Sequence, residues 1–224
     1  MRRRFIRGAL MASLLAAGGS THAAYRVFTD QAAFEAATGA VSTGLLPALP
    51  GSYNGVGTAQ LSWASVAPLG LVFGPSANTW STLIAGPDLA INGAENFNVT
   101  LNSPGYAMGI QAHEPTASGF TADTCGIAGA CTDTTFQITI LSVSGILGVE
   151  TVNFANDTLA FFGVWSDQSI HTFQVRDMSG SADDEFFGQV FRGTVRMSVP
   201  EPGNLALMGL GLVCLAGLRR QSIR

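Results

Sequence analysis

From residue 60 onward the chain is a succession of short segments rich in β-branched and aromatic residues, separated by Gly, Pro, Asn and Asp. Each short run can form a strand and each polar break a turn, so this spacing predicts an all-β sandwich. We expect strands at residues 60–66, 69–73, 80–84, 96–101, 106–112, 135–143, 147–154, 159–164, 171–176 and 189–197.

The segments differ in how their apolar residues are spaced. Residues 136–140 (Phe-Gln-Ile-Thr-Ile) and 173–176 (Phe-Gln-Val-Arg) alternate between apolar and polar. Since side chains alternate across a strand, these segments should have one buried and one solvated face. Residues 159–165 are continuously apolar, which favours a central strand that is buried on both faces.

One short helix should precede the strands, between Thr29 and Gly39. Thr29 or Asp30 can cap its first amides, and Gly39 can take the left-handed conformation that ends a helix. We expect Phe34 to pack against the body. Residues 40–53, rich in Pro and Gly, should form a loop rather than a domain linker.

The amino terminus has the pattern of a secretory signal. A basic stretch, residues 1–7, precedes an apolar stretch, residues 8–19, and the small residues at 20–23 predict cleavage after Ala23. The alternative is a short membrane anchor, although roughly twelve apolar residues are too few to span a bilayer. Arg2-Arg3-Arg4 also resembles the twin-arginine pattern, which leaves the export route open.

The carboxyl terminus combines Pro200-Glu201-Pro202, an uncharged apolar run at residues 205–218 and the basic residues Arg219, Arg220 and Arg224. This arrangement resembles the PEP-CTERM sorting signal of Gram-negative bacteria. The resemblance implies recognition in the inner membrane by an exosortase, a processing transpeptidase. The protein then goes to the cell surface or the extracellular polysaccharide matrix. The chain thus divides into a signal peptide (1–23), an ectodomain (24–198) and a sorting segment (199–224).

The length and charge of the tail agree with this interpretation. Residues 203–218 would form a helix of about 24 Å, shorter than the roughly 30 Å hydrocarbon core, as suits a segment that is read and removed. The arginines place the carboxyl end in the cytoplasm. An ordinary single-pass anchor is the alternative. Residues 152–164 and 170–175 also resemble the last strands of PEP-CTERM ectodomains, which implies a jelly-roll-like sandwich related in shape to carbohydrate-binding modules.

The charge of the ectodomain argues against nucleic acid as a partner. The chain has 15 Asp and Glu, all of them between Ala24 and Pro202, where only four arginines oppose them. The resulting net charge of −11 repels phosphate backbones.

Cys125 and Cys131 flank a glycine- and alanine-rich loop in a chain bound for an oxidising compartment, so we expect them to form a disulfide. A two-cysteine metal site is the alternative, although neither a histidine nor a further cysteine lies nearby. Cys214, in the tail, fits a small apolar residue, and its lipidation is an open alternative.

Three consecutive acids, Asp183, Asp184 and Glu185, predict a Ca²⁺ site with Asp177 as a helper, because crowded carboxylates are the hard oxygen ligands that Ca²⁺ prefers. Solvated loop charges are the alternative. Three tryptophans could supply sugar-stacking faces or fill the core: Trp63, Trp80 and Trp165.

No catalytic motif is complete. His113-Glu114-Pro115 lacks the second histidine of the metalloprotease helix, and a chain without lysine cannot form a Schiff base. We therefore expect a non-catalytic surface or matrix protein that binds polysaccharide or partners. The alternative is a secreted, glycosidase-like hydrolase using two loop carboxylates from Asp157, Asp167, Asp183, Asp184 and Glu185.

Overall fold

The computed structural model describes residues 24–76, 80–91, 93–115, 134–179 and 185–196. Within these ranges the chain forms one α-helix and a twelve-stranded antiparallel sheet. The elements in chain order are β1 (Tyr25–Phe28), α1 (Gln31–Thr38), β2 (Val41–Ser42), β3 (Ser52–Tyr53), β4 (Gly55–Gly57), β5 (Leu61–Ser65), β6 (Leu71–Phe73), β7 (Leu89–Ile91), β8 (Phe97–His113), β9 (Thr135–Ser142), β10 (Gly145–Asn153), β11 (Ala160–Asp177) and β12 (Phe186–Gly193).

The two longest strands, β8 and β11, each run through both layers of the sheet. The main order is β10-β9-β11-β8-β12-β7-β6-β3, with β1 added to β11, β2 to β12, and β4 to β5, which pairs with β8. The first half of β8 and the second half of β11 pair with β5 and β9. Their other halves pair with β12 and β1. We call the layer of β5, β9, β10 and these half-strands the front layer, and the layer with β1, β2 and β12 the back layer.

Ring contacts between the layers show that they face each other across one core. Phe97 in the front layer lies 4.6 Å, between ring centroids, from Phe187 in the back layer. Phe162 and Phe173, both on β11, lie 5.5 Å apart, which requires the strand to turn back over itself. The all-β, sandwich-like fold predicted by the spacing of the apolar segments is therefore confirmed.

Helix α1 covers the outer face of the back layer. Asp30 caps it by accepting a hydrogen bond from the Ala33 amide, and Gly39 ends it in the left-handed region at φ 61°. Phe34 is fully buried against Gly163, whose cross-strand partner is Gly109. Because the helix buries this face, residues 161–166 of β11 are buried on both sides, as their continuous apolarity predicted.

The front layer keeps its outer face in water. Along β9, buried residues alternate with partly exposed ones throughout, beginning with Thr135 outside and Phe136 inside. The alternation in the sequence therefore predicted the orientation of this strand correctly.

The prediction of a strand at residues 80–84 is wrong. These residues form a turn in which side chains bind the backbone amides. The Asp88 carboxylate accepts hydrogen bonds from the amides of Trp80 (3.0 Å) and Ser81 (2.6 Å). The Ser81 hydroxyl accepts in turn from Leu83 and Ile84. Amides occupied by these side chains cannot join a ladder.

Other strand boundaries differ because neighbouring segments fuse or are short. The segments expected at 96–101 and 106–112 form the single strand β8, and those expected at 159–164 and 171–176 form β11. β1 and β7 were not expected. Strand β12 begins three residues before the expected start, because Phe186 already pairs with His113. In the expected 40–53 loop, two-residue strands occur at both ends.

Asp88→Asn should remove a pH dependence of stability. Asp88 is fully buried, and burial raises the pKa of its carboxyl above the ordinary value of 3.8, although the Ser81 and Trp80 amides oppose the shift. The folded chain thus holds this proton more tightly than the unfolded chain, so the contribution of Asp88 to the free energy of unfolding falls as pH rises from 3.8 through the raised value. Asparagine does not titrate.

Urea unfolding of wild type and Asp88→Asn at a series of pH values measures this contribution. Wild type should lose stability relative to the variant as pH rises above that ordinary value. If the difference in stability between wild type and variant were constant with pH, or if wild type became relatively more stable as pH rises, the raised pKa of Asp88 would be contradicted.

Candidate functional site

The outer face of the front layer, which we call the polar face, is a broad surface on which amide and hydroxyl side chains outnumber apolar ones by eight to four. Its residues lie in register across β5, β8, β11, β9 and β10, so they form three rows perpendicular to the strands. The rows are Ser62, Thr100, Thr172, Leu141 and Ile146; Ala64, Asn98, Gln174, Thr139 and Val149; and Arg176, Gln137 and Thr151.

The middle of the polar face has unused hydrogen-bonding groups. The side chains of Gln137, Gln174 and Thr139 are partly exposed and bond no other described residue. Thr100 and Thr172 share a hydrogen bond of 3.0 Å between their hydroxyl oxygens. Since each amide offers two donors and an acceptor, this surface can bind a ligand that is itself rich in hydroxyl groups.

Arg176 is the single charged residue in these rows, and the fold holds it in place. Its guanidinium donates to the carbonyls of Phe97 (2.7 Å) and Val175 (2.6 Å) and to Asn98 Oδ1 (2.7 Å). Burial lowers the pKa of this guanidinium. Arg176 therefore braces the edge of the face and orients Asn98.

The charge of the polar face differs from that of the ectodomain. No carboxylate occurs among its row positions, whereas residues 24–202 together have a net charge of −11. Acidic residues are thus kept off one broad surface. A ligand on this face meets neutral dipoles and one cation.

The sequence-predicted acids lie elsewhere, partly at the end of the sandwich where β8 ends and β12 begins. Glu185 is fully buried and precedes Phe186, the cross-strand partner of His113. Burial lowers the pKa of the His113 imidazole, and the negative charge of Asp157 opposes that shift. Glu114, next in the chain, accepts a 2.5 Å hydrogen bond from the Thr134 amide.

The other predicted acids are separated or engaged. The Asp167 amide donates to the Ala24 carbonyl, near the bend of β11 rather than beside His113. Asp177 Oδ1 accepts from both the amide and the hydroxyl of Ser179. Asp183 and Asp184 lie outside the described residues. Within the described ranges, no group of three His, Cys, Asp or Glu side chains is arranged to hold a metal ion, and the Ca²⁺ site stays a prediction.

Two of the three tryptophans belong to the interior. Trp63 and Trp165 are buried, 1% and 4% exposed, and cannot offer a face to a sugar. Trp80 is partly exposed and stacks on Phe186, with ring centroids 6.2 Å apart and an interplanar angle of 13°. One of its faces is therefore occupied by the protein.

An open groove of about 340 Å³ lies beside the start of α1. Asp30, Gln31 and Glu35 line it together with Phe161 of β11. Gln31 Nε2 donates to Glu35 Oε1 at 2.7 Å, so this carboxylate already has a partner. Polar and apolar residues both line the groove. It involves fewer residues than the thirteen row positions of the polar face.

Several predicted features lie outside the described residues: the signal peptide, Cys125 and Cys131, Cys214, the Pro200-Glu201-Pro202 motif and the basic residues Arg219, Arg220 and Arg224. The disulfide and the domain boundaries stay predictions. Among the described ranges, no helix has the length and apolarity to cross a membrane.

The comparisons bear on the carboxyl terminus. The family model of the PEP-CTERM protein-sorting motif matches residues 198–221. The chain is thus an exported protein with a PEP-CTERM sorting signal, which an exosortase processes at a membrane before the protein reaches the surface. No curated protein and no solved structure matches the chain significantly.

Sequence reasoning did not find the polar face as a unit. The alternation at residues 136–140 and 173–176 indicated two solvated faces, and these contain Gln137, Thr139 and Gln174. That the faces join depends on the register of β9 with β11, which pairs Thr139 with Gln174. Register is set by the whole core and has no local signal.

Proposed function

We propose that this exported protein is a non-catalytic binding module of the cell surface or extracellular matrix, and that its polar face binds neutral extracellular polysaccharide. The observation that carries the proposal is the set of side chains in the three rows. Eight of the thirteen are amides or hydroxyls, of which only Thr172 is buried, and none of the thirteen is a carboxylate. A polysaccharide chain offers complementary hydrogen-bond donors and acceptors over a length comparable to that of the rows.

The shape of the polar face also supports a polymeric ligand. Two of its three rows cross five strands at a spacing of about 4.8 Å, which gives a platform roughly 20 Å wide. A small molecule needs a concave pocket to bury most of its surface, whereas an extended polymer gains affinity from many shallow contacts.

Charge selects among polymers. Acidic polysaccharides are repelled by the strongly acidic ectodomain, in which four arginines oppose 14 Asp and Glu, and Arg176 alone does not reverse that field. Neutral, hydroxyl-rich chains avoid this repulsion. The destination set by the sorting signal, the cell surface, brings the protein to where such polymers are found.

The proposal is tested with two alanine variants of the exported protein, Gln174→Ala and Gln168→Ala. Both glutamines lie on β11, but Gln174 is in the middle row and Gln168 is exposed near the bend of the strand. The probes are dextran, a neutral glucan, and alginate, an acidic polyuronate, in affinity electrophoresis, together with polysaccharide isolated from the host.

Loss of the Gln174 amide should weaken binding of the host polysaccharide about fivefold, since one hydrogen bond contributes about 1 kcal/mol. Gln168→Ala should bind as wild type does. Equal binding by both variants, or a stronger interaction with alginate than with dextran, would refute the assignment to this face. A hydrolytic activity on the polysaccharide would favour the enzyme alternative instead.

A further inference from the structure

Strand β10 leaves one side of its backbone without a strand partner in the described part of the chain. It ends the strand order of the sheet and pairs with β9 alone over Gly145–Asn153. At nine residues it is much longer than β3, the two-residue strand at the other end of the order. Such an edge presents a row of amides and carbonyls that can pair with another extended chain.

Three exposed side chains near this edge are apolar. Val143 in the β9–β10 turn is 69% exposed, Ile146 is 67% exposed and Val149 is 47% exposed. The chain has no lysine, and β10 contains no proline, so two common ways of blocking an edge are missing here. The shift in register between Ile146 and Gly148 is confined to the start of the strand.

The single charge of the hairpin is directed away from the edge. Glu150 is the only charged residue between Thr135 and Asn153, and its Oε1 accepts a 2.5 Å hydrogen bond from the Tyr25 hydroxyl. Through this bond, the neighbouring Glu150 raises the pKa of the Tyr25 hydroxyl. Apart from Glu150, which bonds Tyr25, the edge strand is uncharged on a strongly acidic ectodomain.

This charge distribution favours a second copy of the same chain as the occupant. Two acidic ectodomains repel each other wherever their carboxylates meet, and the β9–β10 hairpin, with Glu150 as its one charged residue, lets them approach with little repulsion. An antiparallel pair of identical strands is also two-fold symmetric, so the edge is complementary to itself. We propose that two copies pair through β10, antiparallel, into one continuous front layer.

The two-fold axis of such a pair is perpendicular to the sheet, so both polar faces would lie on the same side. The dimer does not depend on what the polar face binds, and it can be tested without any ligand. The exported, processed protein is measured by sedimentation velocity over a wide range of concentration. Hydrogen exchange of the β10 amides is followed at both ends of that range.

We expect the mass to rise from monomer to dimer with concentration, together with slower exchange at Gly145–Asn153. Val149→Lys should weaken the dimer at least about tenfold, since it places a charge in the pairing edge. Val41→Lys is the matched control, because Val41 is equally apolar, 68% exposed and far from β10 in the strand order.

A second edge variant, Ile146→Lys, repeats the test if Val149→Lys fails to fold as judged by circular dichroism. A wild-type protein that stays monomeric at every concentration would overturn the proposal. So would a dimer whose β10 amides exchange as in the monomer, or one that Val41→Lys weakens as much as the edge variants.

Discussion

Alanines at Pro200, Glu201 and Pro202 should leave the full-length precursor in the inner membrane. The apolar run at residues 205–218 and the arginines after it are unchanged, so the segment would still insert with its carboxyl end in the cytoplasm. The precursor, however, would lack the motif that the processing enzyme recognises. Fractionation and the mass of the accumulated species measure the effect, which should be a near-complete loss of the processed form.

Removal of residues 203–224 is the companion variant, and it should have the opposite effect. The ectodomain should leave the membrane still folded, because the last core residue before the tail, Phe191, lies on β12, well before the deletion. If the alanine variant reaches the cell exterior as efficiently as wild type, with the same processed mass, an ordinary membrane anchor becomes the better account of the tail.

Gly163→Ala should destabilise the ectodomain by about 1–3 kcal/mol, the range observed when a methyl group is forced into a packed core. A Cβ at this position would lie 2.8 Å from Cδ2 of Phe34 and 2.6 Å from Cε1 of Phe161. Neither ring can move freely, because Phe34 is fully buried and packs on Phe28 at 5.5 Å, and Phe161 packs on Phe191 at 5.7 Å. Urea unfolding measures the change in the free energy of unfolding.

Gly57→Ala is the matched control for this substitution. Gly57 also lies on a strand, β4, but a Cβ there would meet no atom within 4 Å. The free energy of unfolding of the Gly57→Ala variant should differ from that of wild type by less than about 0.5 kcal/mol. Equal losses of stability in the two variants would show that the replacement of a strand glycine, rather than the close contact with Phe34, determines the result.

The sequence predicted those parts of the fold that depend on local pattern. Alternation at residues 136–140 gave the orientation of β9, and Asp30 and Gly39 marked the ends of α1. The turn at residues 80–84 was missed because it depends on Asp88, a carboxylate several residues away whose role appears only when the chain is folded. β8 was expected as two strands, because Ser103-Pro104-Gly105 has the composition of a turn although the chain stays extended there.

The candidate site was less accessible to sequence reasoning than the fold. Acidic clusters and tryptophans attract attention because their chemistry is distinctive, yet Trp63 and Trp165 proved to be core. The polar residues of the polar face are Gln, Thr, Asn and Ser, apart from Arg176, and these types are common on any solvated strand. Only the pairing of β5, β8, β11, β9 and β10 in one layer makes a surface of them. The sorting signal, in contrast, is contiguous in the chain, and its residues were found without the fold.

The position of β12 has a mechanical consequence. The chain leaves the ectodomain through this strand, so tension from an attachment at the carboxyl end would enter the fold there. β12 lies between β8 on one side and β2 and β7 on the other. A pull on it therefore loads ladders on both flanks, and the strand cannot be peeled away one hydrogen bond at a time as a free outer strand can.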